Sequence, residues 1–261
     1  MELTAVHLGA SGFSYADWVG PFYPPGTKKE EFLAYYSQQF GALEINYTYY
    51  RLPTPDTMTR LLEKSGGRLR FAVKLTDLFT HGRRYEPADV IAFCKAMEPL
   101  AEAGVLGCLL AQFPHSFKPT RTQWAYLKEL MAQFKAFPLV TEFRHSAWIK
   151  ESFFEWLRER QIGFCCVDEP RLPGLLPPMD TVTSPVGYVR FHGRNEAKWW
   201  THQRPEERYD YRYSARELAQ WLPRLQKMTT EAEELYVFFN NHFEGKATDN
   251  ARELLAMLER A

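Results

Sequence analysis

Ionisable side chains gather at the end of one apolar stretch, PLVTEFRHSAW, at positions 138–148. Successive side chains of a strand alternate between its two faces, so Val140, Glu142 and Arg144 share one face. A carboxylate and a guanidinium on a buried face need each other or a ligand, because burying an unpaired charge is costly. We therefore expect this stretch to end in an ion cluster with a structural or functional role.

Seven further apolar stretches end in polar residues in the same way. Together the eight are VHLGASG (6–12), ALEINYT (42–48), RFAVKLT (70–76), GCLLAQF (107–113), LVTEFRH (139–145), GFCCVDE (163–169), YVRFHGR (188–194) and LYVFFNN (235–241). Most are separated by segments with apolar residues at three- and four-residue spacing, which is typical of amphipathic helices. The segment 169–186 is the exception, because it carries five prolines and no helical period. It is predicted to be an irregular loop.

Eight strands that alternate with helices in 261 residues predict an α/β fold, a single (β/α)8 TIM-barrel-like domain over residues 1–261. No Gly/Ser-rich linker or obvious repeat divides the chain. An open doubly wound sheet is the alternative, since the number of strands alone does not show that the sheet closes.

The composition narrows the classes of partner. Lys plus Arg and Asp plus Glu both number 32, so the net charge is zero and no broad attraction to nucleic acid or membranes is expected. None of Cys94, Cys108, Cys165 and Cys166 forms a C-x-x-C pair, and we expect reduced core thiols in a cytoplasmic protein. The first residues resemble no signal peptide, and the longest apolar run is too short to span a bilayer.

Closure into a barrel would turn one face of each strand into the lumen, and barrel active sites lie at the carboxyl ends of the strands. The polar residues expected to point inward there are Glu44, Asn46, Lys74, Glu142, Arg144, Arg190, His192 and Arg194. Gln112, Asp168 and either Asn240 or Asn241 are expected to join them. This concentration of polar residues at one end of the strands is the main functional signal in the sequence.

Several long motifs resemble those of the YecE family, a domain of unknown function. They are GASGFSYADWVGPFYPPG (9–26), FGALEINYTYYRLP (40–53), FAVKLTDLFTH (71–81), LGCLLAQFPHSF (106–117), EFRHSAW (142–148), YVRFHGR (188–194) and YVFFNNHFEGKATDNA (236–251). The resemblance spans almost the whole chain and implies a (β/α)8-type barrel, but no established activity. Barrels of similar outline include metal-dependent sugar isomerases and abasic-site endonucleases, a comparison at the level of the fold only.

Cationic residues at the strand ends predict a site for a small anionic ligand, because guanidiniums and ammoniums recognise phosphates and carboxylates. The residues assigned to ligand binding are Asn46, Lys74, Arg144, Arg190, Arg194 and Asn241. The alternative is an internal network in which Glu44, Glu142 and Asp168 neutralise the same cations. Three acids against at least four cations would leave a surplus of positive charge, which favours a ligand.

Acids and imidazoles among the same strand ends are candidates for proton transfer. The candidate catalytic residues are Glu44, Glu142, His145, Asp168 and His192. Some of them, together with His242, are also of the types that bind divalent ions, but no H-E-x-x-H motif is present and nearby Arg and Lys would repel a cation. We therefore assign no metal ligands, and the sequence identifies no cofactor.

The segment 195–214 suggests a different partner. Arg204, Arg208, Arg212 and Arg216 recur at every fourth position in and beside it, interleaved with aromatic residues that can stack on bases. Loops that follow the seventh and eighth strands of barrels often bind phosphate. The acidic residues of the same segment fit a solvated loop equally well.

The leading hypothesis is a YecE-like barrel that binds a phosphate- or carboxylate-bearing molecule at the C-terminal mouth and possesses hydrolase activity. One alternative is a nucleic-acid-binding protein or a metal-dependent nuclease or isomerase-like enzyme. Another is a non-catalytic metabolite-binding protein. The sequence leaves open whether the protein is an enzyme, and it predicts no membrane partner.

Overall fold

Eight parallel strands close into a barrel in the computed structural model, which describes residues 6–260 apart from the side chain of Pro205. The strands are β1 (Val6–Ser11), β2 (Ala42–Ile45), β3 (Arg70–Lys74), β4 (Leu106–Gln112), β5 (Leu139–Glu142), β6 (Ile162–Asp168), β7 (Val186–Phe191) and β8 (Glu234–Phe239). Each pairs with its neighbour in sequence, and β8 pairs back with β1. The predicted (β/α)8 TIM-barrel-like fold is confirmed, and the open sheet is excluded.

Helices surround the barrel and follow most of the strands. Those of the described residues are α1 (Phe32–Tyr36), α2 (Pro55–Ser65), α3 (Pro87–Glu102), α4 (Arg121–Gln133), α5 (Glu151–Glu159), α6 (Glu196–Trp199), α7 (Ala215–Ala219), α8 (Leu222–Glu231) and α9 (Lys246–Leu258). Residues 169–185 run from β6 to β7 without a helix, as the proline content predicts. Within residues 6–260, no helix is both long enough and apolar enough to cross a membrane.

Local signals in the sequence determine where several helices begin. The Thr54 hydroxyl accepts a hydrogen bond from the Thr57 amide ahead of α2, and Pro55 occupies the first helical position. The Ser214 hydroxyl and the Glu217 carboxylate cap each other's backbone amides at the start of α7. These caps satisfy amides that have no partner inside the helix.

The strands are buried on both faces, as expected of a parallel sheet covered by helices. Outward-facing aromatic residues pack against the helical layer, and the rings of Phe143, after β5, and Phe153, on α5, are an example, with centroids 5.1 Å apart. All four cysteines are free thiols, and Cys94 is only partly buried, contrary to the expected core position. Polar side chains are held at the carboxyl ends of the strands, where the site lies.

Candidate functional site

A cavity of about 980 Å³ opens at the carboxyl end of the barrel. Its base is lined by residues at the ends of the strands: Glu44, Asn46, Lys74, Gln112, Arg144, Arg190 and Asn240. Its rim carries aromatic and imidazole side chains: Tyr15, Tyr49, Tyr50, His81, His115, Trp199, Trp200 and His242. The structure thus brings five of the eleven sequence-predicted site residues into one cavity wall; these five are Glu44, Asn46, Lys74, Arg144 and Arg190.

The Glu142 carboxylate is the centre of an ion cluster beneath the cavity. One oxygen lies 2.7 Å from Arg144 Nε, in an ion pair without hydrogen-bond alignment, and 3.1 Å from His192 Nε2. The other oxygen accepts a hydrogen bond from Arg190 Nη1 at 2.6 Å. Burial by itself would raise the pKa of Glu142, but the guanidiniums of Arg144 and Arg190 hold that pKa well below its usual range. The carboxylate is therefore ionised.

Arg190 joins two carboxylates across the lumen. Its Nη2 donates a hydrogen bond to Glu44 Oε1 at 2.6 Å, and its Nη1 donates to Glu142. The Tyr188 hydroxyl donates to the second Glu44 oxygen at 2.7 Å. The Arg190 side chain is only 2% exposed, so both of its charged contacts are desolvated. This guanidinium is already neutralised by protein acids, and it presents very little surface to the cavity.

His192 is a neutral imidazole in this cluster. Burial lowers its pKa, the Arg144 guanidinium lowers it further, and together they outweigh the raising effect of Glu142. Its Nδ1 lies 3.1 Å from the Asn240 amide nitrogen, which can only donate, so the proton is assigned to Nε2, facing Glu142. His192 and Glu142 do not line the cavity wall, and both are fully buried behind it.

Lys74 lies at the carboxyl end of β3 and lines the cavity. Its ammonium stands 4.4 Å from the centroid of the Tyr49 ring, and no carboxylate of the described residues comes within 4.0 Å of it. Burial lowers the pKa of Lys74, the Arg190 guanidinium adds to this effect, and Glu142 and Glu44 oppose it. The resulting pKa is about 7. Lys74 is therefore a half-buried amine that is largely uncharged just above neutral pH.

The Asp168 side chain faces the helical layer, so the prediction that it points into the lumen is wrong. It accepts hydrogen bonds from Arg194 Nε and Nη2, each at 2.7 Å, from Trp221 Nε1 at 2.7 Å and from the Tyr213 hydroxyl at 2.9 Å. It shares its face of β6 with Cys166, whereas Cys165 faces Glu142. Because both faces of β6 are buried and apolar, the sequence contains no alternation that identifies the inward side.

Arg194 also lies outside the lumen, contrary to expectation. Gly193 has a φ of +88°, a conformation that ends the alternation of β7 before Arg194. The Arg194 guanidinium then pairs with Asp168 and, at 3.4 Å, with Glu217. The predicted ligand contact from Arg194 is replaced by a structural ion pair.

Of the two asparagines after β8, Asn240 is the inward one. Asn241, which we assigned to ligand binding, instead donates to the Tyr211 carbonyl at 2.8 Å and to Asn250 Oδ1 at 3.0 Å. Asn46 does line the cavity, and its Oδ1 is buried with no hydrogen-bond partner among the described residues. Asn46 therefore holds an unpaired, buried acceptor beside the cavity.

His145 lies beside the rim and is not one of the cavity-lining residues. Its Nδ1 accepts a hydrogen bond from the Ala147 amide at 3.0 Å, and its ring lies 4.7 Å from that of His115. His145 thus caps the short turn Ser146–Trp148, which is a structural role.

Glu169 is a member of the cluster that we did not single out from the sequence. It is fully buried, accepts from the Leu176 amide at 2.9 Å and lies 3.4 Å from Arg144 Nη1. Burial raises its pKa to about 7, against the opposing effect of Arg144. Its position at the start of the proline-rich loop offers no periodic signal that would have identified it.

The arginines of segment 195–214 do not form one basic face. The segment contains α6 and a short 3-10 turn at Pro205–Tyr209, so the four-residue spacing does not follow a continuous helix. Arg204 lies 3.6 Å from Glu206, and Arg212 lies 3.1 Å from Asp249. Arg208 donates to the His202 ring at 3.0 Å. Nothing in the described part of the segment favours nucleic acid as a partner.

The acids of the site do not form a metal-binding group. Across residues 6–260, no three or more His, Cys, Asp or Glu side chains are arranged to hold a metal ion. Glu44 and Glu142 instead direct their oxygens at Arg190.

Comparisons with known proteins agree with the motifs and the fold. The chain is 29% identical to the UPF0759 protein YunF of Bacillus subtilis over 275 residues, covering 97% of this chain and 95% of YunF. It is 29% identical to YecE of Escherichia coli over 133 residues, covering 49% of this chain and 46% of YecE. The crystal structure of a DUF72 family protein from Thermotoga maritima superposes with a TM-score of 0.89 at 40% identity, covering 97% of this chain and 99% of that one.

The resemblance to YecE noted from the motifs is thereby confirmed. The family model described as "Protein of unknown function DUF72" matches residues 7–261. The chain belongs to the DUF72 family.

Proposed function

We propose that the barrel binds a small carboxylate- or phosphate-bearing molecule in the cavity at its carboxyl end. The observation that carries this proposal is that the Arg144 guanidinium and the Lys74 amine, which is paired with no carboxylate of the described residues, lie in the wall of one cavity. Guanidinium and ammonium groups in a partly dehydrated site are strong donors to an anion.

The ion pairs within the site leave one amine without a paired acid. Glu44 and Glu142 balance Arg190 and Arg144, and Arg194 is balanced by Asp168 outside the lumen. Lys74 is the remaining cation of the sequence-predicted cluster. The surplus expected from the sequence is therefore at most one positive charge, located at Lys74, and Glu169 beside Arg144 reduces it further when ionised.

Hydrogen-bond donors that have no partner within the described residues also support an anionic ligand. Arg144 uses its Nε toward Glu142 and its Nη1 toward Glu169, and its Nη2 makes no hydrogen bond within residues 6–260. This nitrogen and Lys74 Nζ would contact the anion, and Asn46 Oδ1 would accept a hydrogen bond from a hydroxyl of the ligand. Arg190, Arg194 and Asn241, which the sequence assigned to ligand binding, are not included among the proposed ligand contacts.

The rim suits a ligand that extends beyond its anionic group. Tyr50 is 82% exposed and Trp200 is 52% exposed, and both line the cavity. Exposed aromatic rings at a cavity entrance offer flat apolar surface to a ring or chain. The proposal is for binding and does not include hydrolysis, because Glu142 and His192 lie behind the cavity wall and Glu44 is bound to Arg190.

The test is ligand-dependent stabilisation. Thermal unfolding of the protein is followed with inorganic phosphate, malonate and citrate, with chloride at matched ionic strength as the salt control. A bound anion is expected to raise the unfolding midpoint by about 3 °C or more at saturating concentration. Titration calorimetry with the best anion then gives the affinity.

Matched variants locate the binding site. Lys74→Met is expected to lower the affinity for the best anion by about 10-fold, which corresponds to about 1.4 kcal/mol of binding free energy. Arg144→Lys keeps the positive charge but loses the planar guanidinium with its paired N–H donors, and it is expected to lower the affinity by a similar factor. Lys95→Met, at an exposed position on α3, should bind like the wild type. The proposal fails if no anion stabilises the protein beyond chloride, or if Lys74→Met and Arg144→Lys bind as tightly as Lys95→Met.

A further inference from the structure

We propose that Lys74 is a nucleophile that forms an imine with the carbonyl carbon of a ketone or aldehyde bound in the cavity. The inference rests on the proposed function, since it names the substrate class of the same site: a carbonyl compound that also carries a carboxylate or phosphate. Among the residues of the cavity wall, Lys74 is the amine at the end of a barrel strand.

The position of Lys74 meets the first requirement of such a nucleophile, which is access without a competing partner. The side chain is half-buried and lines the cavity, and none of the described carboxylates lies within 4.0 Å of its nitrogen. A lysine held in a salt bridge would stay protonated and unreactive. The nearby Tyr49 ring, 4.4 Å from the nitrogen, would also face the positively charged iminium product.

The surroundings of Lys74 meet the second requirement, which is a neutral amine at physiological pH. Burial and the guanidiniums of Arg190 and Arg144 disfavour the ammonium form and leave its pKa at about 7. Lowering the pKa by desolvation and by neighbouring cations is the established way in which proteins activate an amine for attack on a carbonyl. The backbone from which this side chain extends is anchored as well, because the Thr48 hydroxyl donates to the Lys74 backbone carbonyl at 2.6 Å.

Arg144 identifies the second group of the substrate. Arg144 and Lys74 line the same cavity, and Arg144 Nη2 makes no hydrogen bond within residues 6–260, so an anion bound by Arg144 would place an attached carbonyl group near the amine. A 2-oxo carboxylate and a phosphorylated ketone both combine the two groups in one small molecule. The experiment below distinguishes these two sources of negative charge.

The chemical step is a condensation that balances without an oxidant or a cofactor. The nitrogen lone pair of Lys74 attacks the carbonyl carbon, a C–N bond forms as the C=O π bond opens, and one proton passes from the nitrogen to the oxygen to give a neutral carbinolamine. The nitrogen then forms the C=N bond as the C–O bond breaks, and the oxygen leaves as water after a second protonation. In sum, the neutral amine, the carbonyl compound and one proton give the iminium ion and one water.

Reductive trapping tests the inference directly. The full-length protein is incubated with pyruvate, with dihydroxyacetone phosphate or with acetone, which lacks an anionic group, and sodium cyanoborohydride is added. Intact-mass measurement and peptide mapping then locate the adduct. The mass added to the protein equals that of the carbonyl compound minus its one carbonyl oxygen. We expect Lys74 to be labelled at least about 10-fold faster than Lys95, because an amine with a pKa near 7 is far more often unprotonated at neutral pH than an ordinary lysine.

The controls separate a reactive site from a merely accessible lysine. In the Lys95→Met variant, Lys74 should be labelled as fast as in the wild type. In the Lys74→Met variant, the rapidly formed adduct should be absent. The labelling rate at Lys74 should rise as the pH increases through about 7 and then level off, because attack requires the neutral amine. Equal labelling rates at Lys74 and Lys95, or a Lys74 rate that is still rising above pH 9, would overturn the inference.

The two proposals fail in different ways. If malonate or phosphate stabilises the protein through Lys74 and Arg144 but no carbonyl compound is trapped, the imine is wrong and anion binding stands. If acetone traps Lys74 as fast as pyruvate and dihydroxyacetone phosphate do, and malonate does not slow the trapping, Lys74 is nucleophilic but the anion site is wrong. Preference for pyruvate over dihydroxyacetone phosphate, or the reverse, identifies the anionic group.

Discussion

One buried carboxylate contacts two guanidiniums in this barrel. Glu142 lies against both Arg144 and Arg190, and its side chain is fully buried. Removing one member of such a cluster leaves the remaining charges without compensation, which costs far more than the cluster contributes relative to an apolar core. Glu169 touches the same Arg144 but at 3.4 Å, and its raised pKa of about 7 means that it is often protonated at neutral pH.

This contrast predicts unequal effects of two conservative substitutions. Glu142→Gln is expected to destabilise the fold by about 3–5 kcal/mol, because two buried guanidiniums lose their shared counter-charge. Glu169→Gln, the matched control, should cost about 1 kcal/mol or less at pH 7. Urea unfolding of the three proteins measures the difference, and similar losses in the two variants would contradict this account of the cluster.

The end of β7 shows how an element directs side chains beyond its last residue. Tyr188, Arg190 and His192 follow the alternation of the strand into the lumen. Gly193 then takes a positive φ, and Arg194 reaches Asp168 on the helical side. A Cβ at Gly193 would come within 2.7 Å of the Tyr211 Cβ, so the close approach of the following segment also depends on glycine.

Gly193→Ala is expected to destabilise the protein more than an alanine at another positive-φ glycine. Gly26 has a similar φ of +83° but no atom within 4 Å of its hypothetical Cβ, so Gly26→Ala isolates the backbone strain. We expect about 1 kcal/mol for Gly26→Ala and about 2–4 kcal/mol for Gly193→Ala. Thermal and urea unfolding compare the two, and equal losses would show that the contact with Tyr211 is readily relieved.

At the scale of the whole molecule, the buried ionisable residues of the described chain fall into two groups with different roles. One group surrounds the mouth cavity and includes Lys74 and Arg144. The other joins Asp168 and Arg194 to Tyr213 and Trp221, between the barrel and its helices. The first group leaves donors facing the cavity, whereas the second satisfies Asp168 completely from the protein. The closed barrel wall separates the two groups.

This division predicts that stability and binding respond to different substitutions. Asp168→Asn is expected to destabilise the fold by about 3–5 kcal/mol, because Arg194 loses its buried counter-charge. The same variant should keep anion affinity and the trapping rate at Lys74 within about 2-fold of the wild type. Arg144→Lys should show the reverse pattern of weakened binding with a smaller loss of stability. Calorimetry and reductive trapping on folded Asp168→Asn measure both quantities, and a parallel loss of binding would place Asp168 in the site.

Much of the fold was predictable because it depends on local patterns. Eight apolar stretches, the helical periodicity between them and the prolines of segment 169–185 correspond to the observed elements. Alternation also identified the inward faces of β2, β3, β5 and β7, where one polar residue stands out among apolar neighbours. Glu44, Lys74, Glu142 and Arg190 were therefore correctly assigned to the inward face.

The sequence by itself determined the strands, their polar ends and, through the motifs, the family. Only the tertiary structure decided which side of β6 carries Asp168, which way Arg194 turns and which charges pair. Both faces of β6 are apolar, so no periodic signal distinguishes them, and the turn at Gly193 depends on a backbone angle. The pairs join residues far apart in the chain, and Arg190 and Glu44 are 146 positions apart. Barrel closure brings such partners together, and short-range alternation contains no information about them.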